Sequence, residues 1–580
     1  MVIFPLQIIM KLFRNSEKRS DRPAEHVAHQ ARDRLINSYT ALLLHYVSLI
    51  LSPQNTHNRM RISTYSAALL ALLLAGCQPQ ADEQLTPLPK ADPTAALSTQ
   101  QLDAQIMERV RSSGPFDWNK ASAHTVWSAL AQSDYVLSVG YRPAGFTDSE
   151  LPADAATAPA WQAARAEVLN LILTEERKAH PELTMEQLIA YQENVLPVLD
   201  VTVRELSTIK ALRGNPLVRY AEPMGYEPNR PAANKAKSSL SSSGCGNNTA
   251  TADLAAGIDY AVLSNGSKSS WNQADQYHGV RAGWNQSTGQ GIKILIIDSG
   301  CSDAQENLGT AFNQGQSTGR SIERLVTLPR NSFLGIPYGS AETPNDGCGH
   351  GTSMAGAAAG PRGTDGAAVG MAYNANLITV RAAEDVFIDA SREVKGIADA
   401  YVLAGNRADV RIISMSMGRL TSSSQLADAI RYAYGRGKLI LCAAGTSFDW
   451  TAGWVGVIYP ASLPEAVAVT GLKSDLSTRC DECHIGADVE FSVVMQQSSN
   501  DRRPLTLAMS GDVPSTVGGS SVATSSMAGL TALVWARYPT ETRAQIMARL
   551  VAASTNRNAR SSSFGWGRVN VGAALGALPL

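Results

Sequence analysis

From about residue 255 to its end, the 580-residue chain predicts an α/β fold, a mostly parallel sheet flanked by helices. Two observations carry this expectation. Apolar runs of strand length, among them the core of "GIKILIIDSG" (291–300), alternate with stretches of helical pattern, and strands separated by helices pair in parallel. The composition, with 46 glycines and only 6% aromatic residues, suits a loop-rich architecture in which backbones approach closely. Hydrophobic and charged shares of 44% and 17% are those of an ordinary soluble protein, and the length allows two or three domains. A formal net charge of −1 offers no electrostatic footprint for nucleic acid.

The chain before this region divides by composition. Residues 1–59 read as neither signal nor domain and are expected to be a non-structural extension from an upstream start. At Met60 begins "MRISTYSAALLALLLAGCQPQ", with Arg59 and Arg61 ahead of an apolar run, Ala67 to Leu74, too short to span a bilayer as a helix. It ends in Leu74-Ala75-Gly76-Cys77, which resembles the lipobox of bacterial lipoprotein signal peptides. That resemblance implies a signal over 60–76, cleavage before Cys77 and a lipid on its thiol. The chain would then be exported and held to a bacterial membrane on its periplasmic or cell-surface side. Residues 77–100, rich in Gln, Pro and Ala, read as a tether. Over 101–225 come a strand, "YVLSVGY" (135–141), and an amphipathic helix in "PAWQAARAEVLNLILTEERKA". A second helix follows in "VTVRELSTIKALRG", then an Asn-Pro turn and a short strand at Val218 to Ala221. The polar run within 226–254 reads as an exposed linker.

Three later stretches frame a reactive side chain with glycine. "GIKILIIDSG" ends a buried strand at Asp298, whose carboxylate needs a partner to offset its desolvation. "NDGCGHGTSMAGAAAG" (345–360) presents His350 at a turn before a small-residue helix, and "GGSSVATSSMAG" (518–529) places Ser521 at a helix start. Singly, Asp298 is equally a turn residue, His350 a helix cap and Ser521 an N-cap. Together they stand in the order Asp…His…Ser, and side chains from strand ends of an open α/β sheet converge on one edge.

"IIDSG", "GHGTSMAG" and "GGSSVATSSMAG" resemble the three active-site signatures of subtilisin-like serine proteases, and the likeness runs through "VGMAYNANLITVRA", "ADVRIISMSMG" and "YPASLPEAVAVTGL" to "GWGRVNVGAAL". The resemblance implies a serine endopeptidase with no cofactor needed for catalysis, acting on peptides or unfolded proteins. Ser521 would attack the peptide carbonyl, His350 take and return the proton, and Asp298 orient and stabilise the imidazole. It further assigns Ser416, Met417 and Gly418 to an edge strand pairing with an extended peptide. Ala443, Ala444 and Gly445 become a wall of the pocket for the residue before the cut. Structural calcium is common in the family, but its ligands map onto no particular residues of this chain.

The pattern departs in two places. Thr446 stands in "LCAAGTSFDW" where the family carries the oxyanion-stabilising asparagine, leaving the Ser521 backbone N–H as the other donor. Ser525-Ser526 replaces proline and histidine after the nucleophile. A working but slow or specialised protease is expected; the competing reading is a weakened lipoprotein of the same fold that only binds peptides. Six cysteines besides Cys77 agree with export. Cys480 and Cys483 are close enough in "CDECH" to bridge each other, or with His484 to supply part of a zinc set that has no second ligand pair nearby. If the three active-site stretches assemble, Cys301 and Cys348 are expected to bridge their loops. "LRGNPLVRYAEP" resembles the end of the subtilisin-propeptide inhibitor fold. It implies that 101–225 is a small α+β, ferredoxin-like pro-domain, an intramolecular chaperone and inhibitor released by self-cleavage within about 223–250.

Overall fold

The computed structural model describes residues 95–147, 151–152, 154–228, 245–246, 248–333, 336–446 and 455–579. The expected extension, signal, Cys77, most of the tether and residues 229–244 of the linker lie outside the described residues.

The sheet expected from residue 255 onward has seven strands, all parallel. Their order is Val489–Gln496, Val467–Lys473, Leu439–Ala443, Val410–Met415, Lys293–Asp298, Asn376–Arg381, Ile322–Val326. Both faces are covered, so the central strand reads as a continuous apolar run. Ile294 and Ile296 join the core on one side with the helix Gly519–Arg537, while Leu295 and Ile297 join that on the other with Tyr401 and Ile430. Parallel pairing brings every strand's carboxyl end to the same edge. Met415 lies opposite Ile297, so the next residues, Ser416 and Asp298, leave the sheet side by side.

Residues 95–228 build an antiparallel sheet of four strands, ordered Ile189–Tyr191, Val198–Thr202, Val136–Tyr141, Val218–Pro223. The period of two divides it cleanly. Leu137, Val139, Leu199 and Val201 face the helices that cover this sheet, including Pro159–Glu176 and Leu206–Arg213. Val136, Val198 and Tyr220 face the helices Ser391–Asn406 and Ser424–Gly435, which pack on the seven-stranded sheet. The segment "VTVRELSTIKALRG" is thus not one helix. Its β-branched start completes a strand against Val136–Tyr141 and only Leu206–Arg213 is helical.

The seam between the two sheets is polar and buried. Arg219 makes a bidentate pair with Asp428 (2.8 and 2.9 Å), which also accepts from the Tyr220 hydroxyl. Glu222 accepts from the Ser424 amide (2.7 Å) at the start of the helix Ser424–Gly435, where a carboxylate offsets the exposed backbone dipoles. Lys395 reaches Glu193 (2.9 Å) and Asp399, and Gln425 Nε2 donates to Asp200 (3.0 Å). Beyond the last strand, Glu227 and Arg419 pair at 2.8 Å with neither side chain exposed.

The cysteines correct one expectation. Cys348 is bonded to Cys245, not to Cys301. The two loops do meet, since the Cys301 amide donates to the Pro344 carbonyl. The Cys301 side chain, however, turns into the core beside Leu308 and Met354, fully buried, with its thiol pushed up to about 12 by burial. Cys348 faces the incoming linker instead. Cys480 and Cys483 are bonded to each other, and among the described residues no cluster of three or more His, Cys, Asp or Glu is arranged to hold a metal.

Candidate active site

Asp298 ends the central strand, and His350 opens the helix His350–Ala359. Their join is a 2.8 Å hydrogen bond between His350 Nδ1 and Asp298 Oδ1, each side chain 1% exposed. Two glycines make the approach feasible. Gly349 takes the left-handed conformation, φ 88°, which a side chain would strain. A Cβ on Gly351 would lie 2.3 Å from the Gly300 carbonyl oxygen, so only glycine lets the helix seat on the Asp298 loop.

The turn carrying His350 is tied by Asp346, which the sequence reading did not single out. Its Oδ1 accepts from the Ser299 hydroxyl (2.9 Å) and the amides of Cys348 (2.9 Å) and Gly349 (2.7 Å). Its Oδ2 takes the amide (2.9 Å) and hydroxyl (2.7 Å) of Thr352. The signal was "NDG" just before the histidine, a run favoured in side-chain-stabilised turns. Ser299 completes the brace: its amide donates to Asp298 Oδ1 (2.8 Å) and its hydroxyl oxygen accepts from the Gly351 amide (3.0 Å). Burial works against an imidazolium at His350. Contact with Asp298, and the nearby Asp346 and Asp385, outweigh it, so the histidine's pKa is held above its ordinary value.

Ser521 lies in the first turn of the helix Gly519–Arg537. Its hydroxyl donates to the Ser416 carbonyl (3.3 Å), and the Ser416 hydroxyl donates back to the Ser521 carbonyl (2.9 Å). His350 Nε2 is buried with no hydrogen-bond partner. The Asp–His link is therefore closed and the His–Ser link open. Ser416 is in turn the neighbour of Asp298 across one strand spacing, about 4.8 Å.

Thr446 sits beside the turn that leads into Ser521. Its hydroxyl shares a 3.0 Å hydrogen bond with that of Ser520, which also accepts from the Gly445 amide at 3.2 Å. From outside, this wall is paired with the bridged loop: Thr446 lies opposite Cys483, and the His484 amide donates to the Gly445 carbonyl at 2.9 Å. Ala443 and Ala444 are buried, and the Ala444 carbonyl accepts from the Ile458 amide at 3.0 Å. Met417 is buried in the core. The backbone groups of Gly418 are taken by Val386 and Ile388.

A wholly parallel sheet with a buried Asp–His pair at its carboxyl edge and a helix-borne serine one strand away defines a subtilisin-like α/β fold. Residues 289–567 match the Subtilase family. The chain is 32% identical to subtilisin DY of Bacillus licheniformis over 296 residues, 49% of this chain and 91% of that protein. Similarity at 28% identity extends to a subtilisin of Bacillus sp. (strain TA39), over 47% of this chain and 64% of the relative. It extends also to subtilisin NAT of Bacillus subtilis subsp. natto, 28% identical over 50% of this chain and 66% of the relative. The match thus spans a little under two thirds of those two relatives. Among solved structures, MycP1 from Mycobacterium smegmatis is similar at 21% identity and a TM-score of 0.40, over 57% of this chain and 90% of that one. The chain belongs to the subtilase family.

Proposed function

We propose that this chain is a serine endopeptidase that hydrolyses peptide bonds of peptides or unfolded proteins through Asp298, His350 and Ser521. The observation that carries the reading is the buried 2.8 Å bond from His350 Nδ1 to Asp298. It leaves the other ring nitrogen, Nε2, free to act as base toward the helix-start serine. In the proposed reaction Nε2 takes the Ser521 proton as its oxygen bonds to the carbonyl carbon, then delivers that proton to the departing amine, leaving an acyl-enzyme for water to hydrolyse. Asp298 keeps the proton on Nδ1 and stabilises the imidazolium. The negative oxygen would be met by the Ser521 amide and, where relatives carry asparagine, by the Thr446 hydroxyl. Ser416–Gly418 would offer the edge for the extended substrate, and Ala443–Gly445 the wall beside the residue before the cut.

The same reading makes residues 101–225 a pro-domain that assists folding and inhibits until self-cleavage within about 223–250. Its docking across the buried polar seam supports this. From the Cys77 motif we propose a lipid anchor on the periplasmic or cell-surface side of a bacterial membrane. The test compares the full chain with its Ser521→Ala variant for self-processing, hydrolysis of an unfolded protein, and phosphonylation of Ser521. Processing and labelling lost only in the variant uphold the proposal. Identical intact bands, no hydrolysis and no labelling of the parent chain reject it.

A further inference from the structure

We propose that Val386–Phe387–Ile388 is a built-in surrogate strand that occupies the peptide-binding edge of the enzyme and must lift before substrate enters. This rests on the protease reading above. The Gly418 amide donates to the Val386 carbonyl (3.2 Å), and the Ile388 amide donates to the Gly418 carbonyl (3.1 Å). Phe387 thus lies opposite Gly418 in a parallel bridge. An extended peptide laid against Gly418 needs those same two backbone groups. It also needs a gap of about two strand spacings, roughly 10 Å, between the walls, where the direct pairing leaves one. With the segment in place, the edge is filled by the chain itself.

The segment is anchored at its centre and at both ends. Phe387 is buried in the hydrophobic cluster of the N-terminal domain, with Phe116, Tyr226 and Leu420, while Val386 and Ile388 pack into the core beneath the sheet with Met415 and Met417. Glu393, buried on the helix Ser391–Asn406, clips the ends. One carboxylate oxygen accepts the Glu384 amide and the other the Asp389 amide, both at 3.1 Å. Asp385, within the clipped loop, is near enough to contribute to the field on His350. Because Phe387 packs in the N-terminal domain's cluster, loss of that domain removes one side of the aromatic anchor and frees the edge. Inhibition is thereby relayed through the enzyme's own strand.

The test uses the full chain isolated before self-processing, with residues 101–225 still attached, and two serine-directed probes, diisopropyl fluorophosphate, which carries no peptide, and an alanine-rich hexapeptidyl diphenyl phosphonate. Phe387→Ala is expected to raise the labelling rate of the peptidyl probe by about tenfold or more, with the small probe within about twofold. Phe387→Leu keeps an apolar anchor and stays near the parent. Equal peptidyl labelling in parent and Phe387→Ala overturns the proposal. Hydrogen exchange on the Ser521→Ala chain decides independently of folding in the Phe387 variants. Protected Gly418 and Ile388 amides uphold the strand, and exchange at the rate of open loops overturns it. If the small probe labels no form, the protease reading fails, and the exchange result still rules on the strand.

Discussion

Replacing Glu227 with alanine is expected to cost about 3–5 kcal/mol. The magnitude follows from what the carboxylate holds where the chain leaves the four-stranded sheet. Glu227 accepts from Arg419 Nε (2.8 Å), the Leu420 amide (2.9 Å), the Thr421 amide (3.2 Å) and the Thr421 hydroxyl. Its removal leaves a guanidinium, 0% exposed, with the Met224 and Tyr226 carbonyls and a hydroxyl but no counter-charge. Two backbone amides lose their acceptor as well, and each such orphan costs about 1–3 kcal/mol. At about 1.4 kcal/mol per decade, the opened population rises by about 10²–10⁴. Urea unfolding of the Ser521→Ala chain, where self-digestion plays no part, reads the cost, and exchange at the Leu420 and Thr421 amides locates it. The pair Arg560–Glu490, each side chain 30% exposed, is the control, and breaking it costs no more than about 1 kcal/mol. If Glu227→Ala matches that control, the buried pair does not hold the seam and the reasoning is wrong.

Activity should need a neutral His350, and the raised pKa moves the acid limb of the pH profile above the range of an ordinary histidine. Asp298→Asn should shift that limb to lower pH and reduce turnover by up to about 10⁴; an unmoved limb refutes the pairing. Thr446→Asn should raise turnover by up to about 10²–10³, the value of this donor in subtilisin itself, and an unchanged rate would remove Thr446 from the oxyanion site. At the seam the Asp200 carboxyl is pushed up to about 7 by burial and by Glu193 and Asp399, with Lys395 and Gln425 opposing. The folded chain therefore holds its extra proton below that value, and stability falls as pH rises from the ordinary carboxylate range to about 7. Denaturant midpoints of the Ser521→Ala chain across that window should fall, and Asp200→Asn should flatten the trend. Native Cys301 and Cys442 should resist thiol reagents, both being buried with thiols pushed up to about 12, and prompt labelling would contradict their placement.

Local pattern and chain order carried much of the reading. "KILIID" is apolar on both faces because both faces of its strand are covered, and that alone placed Asp298 at a strand end. Glycine on either side of His350 signalled a turn presenting the imidazole, and the structure shows that Gly351 also lets the helix seat on the Asp298 loop. What escaped was fixed by tertiary direction. Asp346 braces the histidine turn with five hydrogen bonds, yet in one dimension it is an unremarkable turn aspartate. Cys301 and Cys348 stand in loops that do touch, but whether a side chain points into the core or out to the linker depends on loop facing, which spacing does not encode. The pairing of Gly418 with Val386 and Ile388 joins residues about thirty apart through a single bridge, with no period to betray it.

The covalent link between Cys245 and Cys348 makes the position of any backbone nick a choice between two kinds of product. Scission upstream of Cys245 leaves the front piece held by contacts alone, while the new end of the back piece stays moored at Cys348, two residues before His350. Scission just downstream keeps both halves one molecule until a reductant arrives. A few positions along the linker thus decide whether dilution or redox chemistry governs their separation.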